Sequence, residues 1–195
     1  MKFQDAKKYA VAKFTSPSFI KRIKEEDETM IKYLNILKQI NNYGYITSES
    51  QGGHKITGKH YETHKNFEIY ERAYISGFML ESVANEFIKN MGIHTDKIAT
   101  YVAHCNDDVY VPSNLDIPLT ITKKSGKVEV NTHTSLVLPY SVWESYRKEL
   151  HINKSEKIVY IICWDPKWVR DASNNDGLFS DVLKVLKKIS YKVTV

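Results

Sequence analysis

The residues of this chain best suited to chemistry lie between Gly44 and Gly53, in the run Gly-Tyr-Ile-Thr-Ser-Glu-Ser-Gln-Gly-Gly. Three hydroxyls (Thr47, Ser48, Ser50), the Gln51 amide and two glycines follow directly on the apolar pair Tyr45-Ile46. Glycine lets a backbone approach a ligand closely, and successive N–H groups in a tight turn make a concavity for an anion. Hydroxyls and an amide would orient what binds. The run reads as a short strand, Tyr45 to Ser48, entering a polar turn, with Thr47, Ser50, Gln51 and Gly53 as ligand-binding residues. It lacks the Gly-Lys-Ser/Thr end of a nucleotide-binding P-loop and the glycine spacing of a dinucleotide fingerprint. An ordinary surface turn is the competing reading of the same residues.

Arg72 is the charged group that would complete such a site. Phe67 to Ile75 reads as one strand, in which alternation puts Arg72 on a face with Tyr70 and Tyr74. A guanidinium there can grip a phosphate or carboxylate through two parallel hydrogen bonds. It can equally serve as a structural bridge to Glu49 or Asp108. Gln51 to Asn66 is almost free of apolar side chains and reads as a long loop carrying His54, His60 and His64 beside Lys55, Lys59 and Lys65. His60 joins the ligand-binding set, and these imidazoles would make binding pH-sensitive between about pH 5 and 7. His60 and His64 are spaced as two zinc ligands on a helix would be. No glutamate follows His60 and no cysteine lies near, so no metal is expected.

Candidates for catalysis are weaker. Asp107 and Asp108, with Asp116, follow a strand, and carboxylates at strand ends can hold a cation or activate water. Asp107 could also simply cap an element. Cys105 follows His104, but neighbours on a strand point to opposite faces, so a nucleophilic Cys105 needs a distant base such as His133 or His60. A free cysteine is commonly a small buried hydrophobe. Trp164 and Trp168 flank the turn Asp165-Pro166-Lys167 and could stack on a planar ligand or a protein partner, or cover a sheet edge.

The spacing Gly44, Tyr45, Thr47, Ser50, Gln51 and Gly53, then Arg72 and Gly77-Phe78, resembles an uncharacterised family. That family is marked by Gly-aromatic-x-Thr-x-x-Ser-Gln-x-Gly followed by an arginine and a Gly-Phe pair. It often carries proline where this chain has Gly52. The resemblance implies no function and no cofactor. It implies that the strand, the turn and the helix that follows form one structural unit.

These residues need elements to position them. Met1 to Phe14 reads as a helix ended by Thr15-Ser16-Pro17-Ser18, and Phe19 to Asn41 as a second, with Met30, Ile31, Leu34, Leu37 and Ile40 as its apolar stripe. Gly44 suits a left-handed C-cap. A helix over Leu80 to Ile88 capped by Gly92, a strand over Lys97 to Ala103 and a hairpin turning at Lys124-Ser125-Gly126 follow. Ser141 with Glu144 forms a capping box for a helix to Leu150. Ile158 to Cys163 is apolar throughout and suits a central strand. A helix striped by Leu178, Val182, Val185, Leu186 and Ile189 precedes a closing strand, Tyr191 to Val195. The expectation is an α/β (or α+β) fold of one domain, 1–195. It is a mixed sheet covered by helices, with residues 1–42 as a helical N-terminal segment.

Composition narrows the function classes. Hydrophobic residues are 42% and charged residues 26%, ordinary for a folded domain. No apolar run is long enough to span a bilayer, the N-terminus has no leader pattern, and two cysteines ask for no oxidising compartment, all of which points to a cytoplasmic protein. The net charge of +5 mildly favours anionic partners. The leading expectation is therefore the binding or processing of a small anionic ligand, a class that includes phosphate-bearing, nucleotide-like molecules. The alternatives are a protein-interaction module with a Tyr/Trp-rich surface, including self-association, and nucleic-acid binding by the basic N-terminal helices and the 54–65 loop. Whether it is an enzyme is left open.

Overall fold

The computed structural model describes residues 1–59, 66–109 and 115–193. His60 and His64 lie outside the described residues, as does the side chain of His133.

The N-terminal segment is helical, but in more pieces than its periodicity suggests: α1 (Phe3–Lys13), α2 (Pro17–Glu26), a 3-10 helix (Glu28–Tyr33) and α3 (Leu34–Asn42). The expected single helix from Phe19 to Asn41 breaks at Asp27, which is extended (φ −157°, ψ 93°). Its carboxylate accepts the Thr29 N–H at 3.0 Å and the Thr29 hydroxyl at 2.6 Å, a local cap that competes with helix propagation.

Two four-stranded sheets follow. The first has the order β1 (Ile46–Gly52), β4 (Ala73–Leu80), β10 (Ile158–Trp164), β5 (Ile98–Tyr101), every pairing antiparallel. The second has the order β2 (Lys55–Lys59), β3 (Asn66–Glu71), β7 (Asp116–Lys124), β8 (Lys127–Ser135), also antiparallel. Parallel pairing among the described residues occurs in a separate two-stranded sheet, β6 (Ala103–Cys105) and β9 (Val137–Pro139). The segment Phe67–Ile75 is two strands that part at Arg72, where the chain leaves the second sheet for the first.

Helices cover both faces of the first sheet. Tyr45, Ile75, Ile161 and Cys163 face a core shared with α3, α4 (Glu81–His94) and α6 (Leu178–Val193). Ile46, Tyr74, Phe78, Tyr160 and Ile162 face a second core with α1 and α5 (Tyr140–Glu149). Strand β4 is therefore buried on both sides, and β10 is central, as its unbroken apolar run predicts.

Other local expectations divide. Gly44 has φ 94°, and the hairpin turns through Ser125 (φ 54°) and Gly126 (φ 80°), both as read from the residue types. Gly92 lies inside α4 rather than after it. Helix α5 starts at Tyr140 and its Ser141 N–H is capped by Asp107 Oδ1 at 2.9 Å, while Glu144 grips Arg147 instead of closing a capping box. Tyr191 continues α6, so no strand begins there. No helix among the described residues is long and apolar enough to cross a membrane.

Candidate functional site

The segment read as a polar turn is a strand. Glu49 to Gly52 pair with Ser76 to Ala73, so β1 runs on through the hydroxyls and the amide. At about 3.3 Å per residue, Thr47 and Gly53 stand roughly 20 Å apart, too far to cradle one small anion. The expected ligand-binding set thus separates into two ends.

At the near end, β1 forms the floor of a cavity of about 360 Å³ roofed by the N-terminal helices. Thr47, Ser48, Glu49 and Ser50 line it together with Asn41 and Tyr74. Asn41 is fully buried and anchors the strand: its Oδ1 accepts the Thr47 N–H at 3.0 Å, and its Nδ2 donates to Thr47 Oγ1 at 2.9 Å. The register slips between Thr47 and Glu49, a bulge of the kind that re-aims side chains. Ser48 Oγ thereby lies 2.6 Å from Tyr160 Oη, which donates to Ser76 Oγ at 3.0 Å. Glu49 accepts the Tyr146 hydroxyl at 2.7 Å. Burial pushes the phenols of Tyr74, Tyr146 and Tyr160 well above their ordinary range, so these hydroxyls are hydrogen-bond donors and not bases.

The roof supplies apolar surface (Phe14, Phe19, Ile23, Met30, Leu37) and two cations, Lys13 and Arg22. They approach the Phe19 ring to 5.1 and 5.3 Å. Arg22 stands 3.7 Å from Glu26. The Lys13 ammonium is lowered from its usual value by burial and then by Arg22, with Glu149 opposing. Lys13 and Arg22 bring two positive charges to that corner of the cavity, with Arg22 already paired to Glu26 and Glu149 acting on Lys13. Four carboxylates, Glu26, Asp27, Glu49 and Glu149, share the rest of the wall and limit how much charge it can accept.

At the far end the glycines serve packing. A Cβ on Gly52 would lie 2.1 Å from the Tyr33 ring, and Gly53 (φ 70°) has the Arg170 carbonyl 2.6 Å from where its Cβ would be. Gln51 Nε2 donates to the Arg72 carbonyl at 3.1 Å and so ties β1 to the sheet corner. Arg72 makes neither expected bridge: Glu49 is held by Tyr146, and no carboxylate pairs with Arg72 within 4 Å among the described residues. Its guanidinium instead lies 4.2 Å from the Trp168 ring centroid.

Beside it, His54 Nδ1 and Glu71 Oε2 are 3.0 Å apart but off the line of a hydrogen bond. Thr29 spends its hydroxyl hydrogen on Asp27, so the 3.3 Å contact between Thr29 Oγ1 and His54 Nε2 needs the proton on Nε2. That leaves Nδ1 of a neutral ring facing the Glu71 carboxyl, which burial pushes up to about 7.

The remaining candidates scatter. Asp107 is the cap of α5. Cys105 Sγ donates to the Leu138 carbonyl at 3.7 Å, and His104 packs on Tyr140 and Trp143. Trp164 joins the second core while Trp168 stacks on Arg72, so the two do not form one platform. On α2, Lys21, Arg22 and Lys24 face Glu25, Glu26 and Glu28 at 3.8, 3.7 and 3.7 Å, which offsets the basic charge expected there. Among the described residues no group of three or more His, Cys, Asp or Glu side chains could hold a metal ion.

Sequence reasoning missed a buried charge network. The Lys97 side chain is fully enclosed, touching Asp96 and lying 3.2 Å from Asp181 and 3.8 Å from Asp165. Arg170 grips Asp165 with Nε and Nη2 at 2.5 Å each, and Asp96 at 2.9 Å. These residues are far apart in the chain, and a lysine at a strand start reads as surface. No protein-family model matches this sequence, and no curated protein is significantly similar to it.

Proposed function

We propose that the chain binds a small anionic molecule in the cavity between the N-terminal helices and β1. The observation that carries this is the convergence there of Thr47, Ser48 and Ser50 with Lys13 and Arg22 around a space of about 360 Å³. That volume falls in the range of small-ligand sites, and one apolar wall facing a few placed polar groups is their usual design. The acids in the lining favour a ligand with a single negative charge, such as a carboxylate, on a partly apolar body. A nucleotide's several charges would meet Glu26, Asp27, Glu49 and Glu149. Lys13 takes the anion, the β1 hydroxyls orient the ligand, and Phe14, Phe19 and Met30 cover its apolar part.

Thermal unfolding in the presence of a panel of small carboxylic acids and nucleotides tests this. A ligand at a hundred times its Kd adds about 2.7 kcal/mol of stability. Monocarboxylates should raise the midpoint, and Lys13→Gln and Ser50→Ala should each remove most of the rise. A panel with no effect at millimolar concentration, or an effect indifferent to both substitutions, defeats the reading.

A further inference from the structure

We propose that Arg72 and Trp168 form a second, separate binding site, for a small oxyanion, carboxylate or phosphate, at the corner where the two sheets meet. Arg72 carries a positive charge into a half-buried position with few partners. Its Nη1 donates to the Pro118 carbonyl at a long 3.4 Å, and its Nε is buried with no hydrogen bond among the described residues. The acid that acts on it through space is Asp165, and both oxygens of that carboxylate are already held by Arg170, with Oδ1 also accepting the Lys167 N–H at 2.9 Å. A guanidinium without an opposing charge, with a buried N–H unsatisfied, is costly unless something supplies the missing acceptors.

The surroundings fix the orientation of that guanidinium. The Trp168 ring lies under it at 4.2 Å, which fixes its plane and leaves its edge as the direction for hydrogen bonds. The Nε–Nη2 edge is the one that matches two oxygens of a carboxylate or phosphate. Val169, next in the chain, holds φ 63°, a strained conformation for a β-branched residue, and stays there because its N–H donates to the Glu71 carbonyl at 2.8 Å. That hydrogen bond ties the backbone just after Trp168 to the residue just before Arg72, and Val169 is 38% exposed. The bound species would satisfy Nε and Nη2 and neutralise the charge; no covalent step is involved.

The buried Nε–H of Arg72 gives a direct readout. In 1H–15N spectra of the full chain, inorganic phosphate and acetate are titrated separately to tens of millimolar, at constant ionic strength set with chloride. Saturable movement of the Arg72 Nε–H signal is expected with at least one of them, and the two arms distinguish the source. Quenching of Trp168 emission, assigned by its loss in Trp168→Phe, should follow the same curve. Arg72→Lys keeps the charge but not the fork and should bind at least about tenfold more weakly. An Nε–H signal unmoved by both anions overturns the proposal, as does movement matched by chloride alone, or binding that survives Arg72→Lys. Because Lys13→Gln leaves this corner intact, its effect here separates the two sites: none is expected.

Discussion

His54 and Glu71 face each other across 3.0 Å at the point where the N-terminal segment meets the sheet corner. Around them stand Asp27, Thr29, Lys32 and Asp171, with Lys32 bound to Asp171 at 2.5 Å. Burial pushes the Glu71 carboxyl up and the His54 imidazole down, so both favour their neutral forms.

The consequence for stability has a definite sign. Glu71 moves from 4.5 up to about 7, so between those values the folded protein holds a proton that the unfolded chain has lost. Stability from this group therefore falls as pH rises from 4.5 to 7. His54, lowered from 6.5, works the other way, and its contribution rises as pH approaches 6.5 from below. Glu71→Gln keeps the shape and removes the titration. Its stability relative to the parent should improve by about 1–2 kcal/mol between pH 5 and pH 8. Urea midpoints at the two pH values measure this, and a difference that does not change with pH refutes it.

Gly77 and Gly92 make opposite predictions for the same substitution. A Cβ on Gly77 would sit 2.1 Å from the Ile46 carbonyl oxygen and 2.8 Å from Thr47 Cα, both backbone atoms of the neighbouring strand. Gly77→Ala must force β1 from β4 and should cost about 3 kcal/mol or more. Gly92 has nothing within 4 Å and lies within α4, so Gly92→Ala should stabilise by about 0.5–1 kcal/mol. Calorimetry of the two variants decides both. A neutral Gly77→Ala would contradict the strand pairing itself.

Lys97 is the buried cation that three aspartates share, Arg170 holding two of them as well. Lys97→Met leaves Asp165 and Asp181 buried with one fewer partner and should cost about 3–5 kcal/mol. Adding Asp181→Asn should return part of that loss, since it removes one of the charges left exposed to burial. A single-variant cost below about 1 kcal/mol would make the network no more than a surface set of ion pairs.

Much of this protein was legible from residue type and period alone. The apolar run Ile158 to Cys163 suits a strand covered on both sides, and it is the central β10. The stripe from Leu178 to Ile189 made a buried helix, and Gly44 and Ser125-Gly126 marked left-handed turns. Such features depend on local backbone preference and on which face must leave water, and both are written in short stretches of sequence. The candidate site was not legible in that way. Thr47 to Gly52 carries the residues of a turn, yet it is a strand because β4 offers it a ladder of hydrogen bonds from across the fold. Arg72 and Trp168, or Lys97 and Asp181, meet only when distant segments pack, and nothing in their own neighbourhoods records the partner. The sequence by itself determined several helices, the central strand and the faces that these bury. Only the tertiary structure decided which polar groups share a cavity, because long-range pairing overrides a weak local preference wherever it satisfies more backbone groups.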